Sequence, residues 1–87
     1  MRIKEGFILR KVGGQNIVVA VGSASESFNG MLKVNEIGAM LWQLIDEGAD
    51  EEALVKAVTD KYEVDSAKAA EDVKKFTQKL ICEGFAE

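Results

Sequence analysis

Along the first third of the chain, aliphatic and β-branched residues come in short blocks broken by glycines and polar runs, whereas beyond Asn35 they recur at three- and four-residue intervals. The first pattern belongs to strands and the second to amphipathic helices. Residues 7–12 and 15–21 are predicted as two strands, and Gly13-Gly14 between them supplies the positive backbone dihedrals of a two-residue primed hairpin turn. Residues 22–29 are polar and serine-rich and read as a surface loop. Residues 30–34 follow as a short third strand ending at Asn35.

Asn35 is the expected N-cap of a first helix over residues 36–47, with Ile37, Leu41, Leu44 and Ile45 on one face. Gly38 weakens that helix by up to about 1 kcal/mol, a cost that makes sense where another element packs closely. Met40 and Trp42 broaden the apolar surface and are expected in the core. Asp50 caps a second helix, which carries Leu54, Val55, Val58 and Tyr62 and stops near Glu63. Asp65 caps a third running to about Glu83, with Ala69, Val73, Phe76 and Leu80 on one stripe, Ala70, Thr77 and Ile81 beside it, and Gly84 as terminator. Strands first and helices afterwards, joined by short connections, predict one α+β domain over residues 1–87. Its layout is winged-helix-like, a three-stranded antiparallel sheet followed by three helices.

Composition narrows the chemistry. The 87 residues include no histidine and one cysteine, so neither a zinc site of ordinary nitrogen and sulfur ligands nor a Ser-His or Cys-His pair can be assembled. Asp46, Glu47, Asp50, Glu51 and Glu52 flank a helix start, where acids favourably oppose the helix dipole, and they lack the spacing of a calcium loop. No catalytic, cofactor-binding or metal-binding residue is assigned. Cys82 cannot form an internal disulfide, which fits a reducing compartment, and its apolar surroundings in sequence predict a buried structural thiol. No apolar run reaches the roughly 18 residues of a membrane span and no signal-peptide pattern opens the chain, so the expected location is cytoplasmic, away from membranes.

A three-helix unit with a small sheet invites a DNA-binding reading, but the charge opposes it. Net charge is −4, and residues 35–87 hold thirteen acids against six bases, while residues 1–34 hold five bases and two acids. The helices that would enter a groove are the acidic half, and duplex binding needs cations to displace phosphate counterions. A winged-helix regulator is therefore the lesser alternative, as is a structural subunit docking to a larger enzyme. No nucleic-acid partner is expected. What remains is the sheet edge: the strand Met31, Leu32, Lys33, Val34 has Lys33 as its one charge, and an extended peptide can pair with such an edge.

Particular residues also carry a resemblance. A strand ending Val34-Asn35 is followed by a helix with Gly38-Ala39 then Leu41-Trp42. Tyr62, Val64 and Asp65 form Tyr-x-Val-Asp, and Asp72, Val73 and Phe76 form Asp-Val-x-x-Phe. Gly84-Phe85 closes the chain. In this order and spacing, residues 30–87 resemble the PqqD-like proteins, named for pyrroloquinoline quinone biosynthesis protein D. The resemblance implies a non-enzymatic peptide chaperone without cofactors. Such a module binds the leader of a ribosomally synthesised precursor peptide as an added strand, in the cleft between the third strand and third helix. It presents the peptide to a modifying enzyme such as a radical S-adenosylmethionine enzyme. Carried over, the edge is Met31, Leu32, Lys33 and Val34, the cleft wall is Lys68, Asp72, Lys75, Phe76 and Lys79, and Phe28 at the loop exit closes the cleft. The loop over residues 22–29 departs from the quinone-pathway member, which leaves room for a relative serving a sactipeptide, a lasso peptide or another modified peptide. The sequence leaves the oligomeric state open between a monomer and a weak dimer.

Overall fold

A computed structural model describes residues 1–22 and 31–87. Strand β1 (Phe7–Val12) and strand β2 (Gln15–Ala20) form a hairpin whose two central residues, Gly13 and Gly14, have φ of 57° and 79°. Side-chain-bearing residues rarely adopt those angles, and they twist the turn in the same sense as the strands it joins. Strand β3 (Met31–Val34) adds antiparallel to β2, giving the order β1-β2-β3, and among the described residues no strand pairs with the outer side of β3.

Three helices follow: α1 (Glu36–Asp46), α2 (Glu51–Lys61) and α3 (Ser66–Cys82). Each starts where the cap was expected, and the reason is visible. The side chains of Asn35, Asp50 and Asp65 accept hydrogen bonds from the backbone N–H groups of Gly38, Ala53 and Lys68, all at 2.8 Å, so each satisfies one of the otherwise unpaired amides of a first turn. The architecture is thus α+β, a three-stranded antiparallel sheet and then three helices.

One face of the sheet meets the helices. Val18 from β2 is buried with Leu41, Trp42 and Ile45 from α1, Leu54 and Val58 from α2, and Ala69, Val73 and Leu80 from α3. Trp42 is core as expected, and Met40 packs against the core while partly exposed. The C-terminal segment contributes more than its terminator glycine announced. Phe85 is buried edge-on to both Phe7 and Trp42, with ring centroids 5.0 and 6.1 Å apart. Ala86 bridges to Ile3, and Arg2 and Glu87 exchange backbone hydrogen bonds at 3.0 Å, so the two terminal segments lie side by side.

Two expectations for α3 need correction. Cys82 is exposed, not buried, and Ile81 beside it is 48% exposed. The buried positions of α3 are Ala69, Val73, Thr77 and Leu80, and Cys82 lies two residues, about 200° of helical rotation, beyond Leu80. Ala70 is also exposed, whereas Thr77 is buried with its hydroxyl donating to the Lys74 carbonyl at 3.1 Å. Among the described residues no helix is long and apolar enough to cross a membrane.

Candidate peptide-binding cleft

The open edge of β3 has a definite backbone phase. A two-residue turn makes the flanking pair, Val12 and Gln15, exchange hydrogen bonds, and in an antiparallel ladder every second pair then does so. The Val21 amide donating to the Gly6 carbonyl at 2.7 Å, six residues further along the ladder, keeps that phase. On β2, residues 15, 17 and 19 therefore turn their polar groups toward β1, and residues 16, 18 and 20 toward β3. Since Asn16 pairs with Val34 and Val18 with Leu32, those two residues spend their amides on β2. Met31 and Lys33 point theirs at the open edge.

Side chains alternate in the opposite sense. Leu32 packs on the core and Val34 faces α1, whereas Met31 and Lys33 project from the sheet's far face, Met31 with 63% of its surface exposed. An extended chain laid along β3 would thus meet outward-turned backbone groups at Met31 and Lys33, without a partner among the described residues, and apolar surface beneath Leu32 and Val34.

That surface leads into two adjoining cavities. A small one of about 150 Å³ is lined by Leu32, Lys33, Val34, Asn35, Phe76 and Lys79. A larger one of about 350 Å³ continues between α1 and α3, taking in Ile37, Gly38, Leu41, Asp72 and Lys75 and sharing Asn35, Phe76 and Lys79. Phe76, half-buried at their junction, is apolar floor for both. Asn35 joins the elements: it ends β3, caps α1 through the Gly38 amide and borders each cavity.

Charge in the cleft is mixed. Lys75 is paired with Glu71 at 3.0 Å and Lys68 with Asp72 at 3.0 Å, each one helical turn apart. The hydrogen bond from Lys68 to Asp72, with the attraction of Asp72 and then Glu71, raises the Lys68 pKa above the ordinary lysine value. Lys33 and Lys79 have no carboxylate partner among the described residues. They are the cations available to a ligand.

Of the residues expected at the site from sequence, Leu32, Lys33, Val34, Asp72, Lys75, Phe76 and Lys79 lie around these two cavities. Lys68 lines neither and is held at Asp72, and Met31 offers its backbone while its side chain is on the far face. Phe28 falls outside the described residues. The start of α1 carries no binding signal in the hydrophobic pattern. By spacing alone Asn35, Ile37, Gly38 and Leu41 are cap, close-packing glycine and core, yet all border the cleft. The available signal was Gly38, since a Cβ there would stand 3.1 Å from the Val34 Cβ and 3.2 Å from the Phe76 ring.

Comparison with known protein families decides the kinship: residues 15–86 match the family model described as Coenzyme PQQ synthesis protein D (PqqD). The chain belongs to the PqqD family. Two solved structures share its fold. One is TbiB1 in complex with the TbiA(beta) leader peptide, with a TM-score of 0.82 at 20% identity, covering 100% of this chain and 95% of that one. The other is a lasso peptide synthetase B1 complexed with the leader peptide, with a TM-score of 0.81 at 17% identity, covering 99% and 95%. No curated protein sequence matches. The PqqD family match takes in β2, β3 and all three helices, and so the whole cleft.

Proposed function

We propose that residues 1–87 act as a single, non-enzymatic peptide-binding domain that takes up the leader of a ribosomally synthesised precursor as a strand added to β3. It then presents the peptide to a modifying enzyme such as a radical S-adenosylmethionine enzyme. The observation that carries the reading is the juxtaposition of a strand edge with no partner among the described residues, its backbone groups at Met31 and Lys33 turned outward, and the apolar cavities floored by Phe76. Main-chain bonding along an edge supplies affinity, and pockets for alternate side chains supply selectivity. Membership of the PqqD family and the leader-bound state of two proteins with this fold support the same reading.

In the bound state the peptide continues the sheet antiparallel to β3. Side chains opposite Leu32 and Val34 enter the cavities, and Lys33 and Lys79 meet acidic leader residues. Asp72 and Lys75 border the larger cavity, and Lys68 holds Asp72 in place. The test is titration of the isolated chain with a labelled precursor peptide encoded beside its gene. Saturable binding that is lost when the leader is removed and kept when the core is removed is the expected result. Binding through the core alone, or a bound leader that is helical by NMR, would overturn it. Incubating chain and peptide without any enzyme should leave the peptide mass unchanged.

A further inference from the structure

The sheet has a second face, which the core does not use. Because side chains alternate, Ile8, Val19 and Met31 form one cross-strand row on that face, and Arg10, Ile17 and Lys33 form the next. Val12 ends the face at the hairpin and is 56% exposed. Ile17 is only 9% exposed although it belongs to no part of the core shared with the helices, and its neighbours on either side are the long side chains of Arg10 and Lys33. An antiparallel sheet with one solvated face ordinarily alternates apolar and polar residues, with the polar ones outward. Here the outward positions are themselves mostly aliphatic.

Among the described strand residues, the charge on this face has one sign. No acidic residue occurs in any of the three strands, whereas residues 35–87 carry thirteen acids against six bases. Arg10 and Lys33 have no carboxylate partner among the described residues. A second copy is a poor occupant. Two such faces stacked about a twofold axis would oppose cations to cations, and a sheet placed on another copy's acidic helices would be a heterologous contact, which closes into a ring only at particular rotations and otherwise runs on as a filament. An aliphatic centre with unpaired cations suits a protein surface that is apolar in the middle and bordered by carboxylates.

We propose that this outer face docks the chain onto the peptide-modifying enzyme, through an apolar patch on the enzyme edged with Asp and Glu. The inference rests on the leader-binding reading, and it divides the molecule: the β3 edge and the cleft hold the peptide, and the outer face of β1 and β2 holds the enzyme. A peptide on the edge and an enzyme on the face can be bound together, with Lys33 at the boundary.

The probe is the modifying enzyme encoded beside this chain's gene, immobilised and titrated with the chain in the absence of precursor. Arg10→Glu and Val12→Glu, both at exposed sites away from β3, should each weaken enzyme binding by at least about tenfold. Neither should change the melting temperature by more than a few degrees or the leader affinity of the isolated chain by more than about twofold. Lys56→Glu on the exposed face of α2 should leave enzyme binding unchanged, and added salt should slow association. Four results would overturn the proposal: no binding of the enzyme, equal binding by Arg10→Glu and Val12→Glu, loss with Lys56→Glu instead, or attachment to phosphatidylglycerol vesicles but not to enzyme. Loss of leader binding by the unmutated chain, with enzyme docking intact, would instead refute the proposed function.

Discussion

The Phe76 ring stands 3.2 Å from the place a Cβ would occupy on Gly38, so the residue that lets α1 approach β3 is also the one that leaves room for the floor of the cleft. Gly38→Ala sets two effects against each other. Alanine gains up to about 1 kcal/mol of helix propensity, and overpacking between Val34 and Phe76 costs about 1–3 kcal/mol. We expect stability in urea to fall by roughly 0–3 kcal/mol. Leader affinity should fall about three- to tenfold, since a displaced Phe76 changes both cavities. Unchanged leader affinity would show that the peptide does not depend on this junction.

The phase of the β3 ladder predicts which amides respond to peptide. On binding, hydrogen exchange should slow at Met31 and Lys33, and change little at Leu32 and Val34, whose amides already serve β2. Equal protection at all four, or at none, would contradict an added strand in this register.

The same geometry predicts two scans of the leader that are out of step. In an antiparallel pairing, leader residues that bond to Met31 and Lys33 share the outward side-chain direction of those residues, while their neighbours point into the cavities. Proline at a bonded position should cost about 1–3 kcal/mol, roughly 5- to 150-fold in affinity. Truncating an apolar anchor should cost a similar amount at the alternate positions. If both scans peak at the same residues, the leader runs parallel to β3.

Charge reversal separates the lysines of α3. Lys79 borders both cavities without a carboxylate partner, Lys75 borders one and is paired with Glu71, and Lys68 borders neither. The loss of leader affinity should therefore rank Lys79→Glu above Lys75→Glu above Lys68→Glu, and calorimetric titration in low and moderate salt reads the order. A raised lysine pKa contributes stability that is fully present below the ordinary lysine range and lost as pH rises through the folded value. The Lys68 to Asp72 contact should accordingly be present at neutral pH and be lost as the solution becomes strongly alkaline, which a Lys68→Met comparison by thermal melting checks.

Neighbours on α3 should differ sharply in stability and reactivity. Leu80 is fully buried, so Leu80→Ala should cost about 2–5 kcal/mol, whereas Ile81→Ala should stay within about 0.5 kcal/mol. Cys82 should react with a maleimide in the native protein at a rate close to that of the unfolded chain. Protection of the thiol without added peptide would contradict its exposed position.

The elements and their ends were legible in the sequence because they depend on local chemistry. Paired glycines set the hairpin, and Asn35, Asp50 and Asp65 each satisfied a first-turn amide three residues on, so strands and helix starts fell where the pattern put them. The acidic helices and the acid-free strands were equally plain. The far end of α3 was not, because apolar character at Ile81 and Cys82 says nothing about which way a helix is turned when it packs. That rotation is set by Val73, Thr77 and Leu80 meeting partners from α1, α2 and the sheet. Likewise, Asn35, Gly38 and Leu41 became cleft residues only when α1 lay against β3, and Phe85 became core only when the C-terminal segment folded back beside Ile3. Local hydrogen bonding and periodicity act over a few residues and are written along the chain. The cleft and the two faces of the sheet come from contacts between segments far apart in it, which no local pattern encodes.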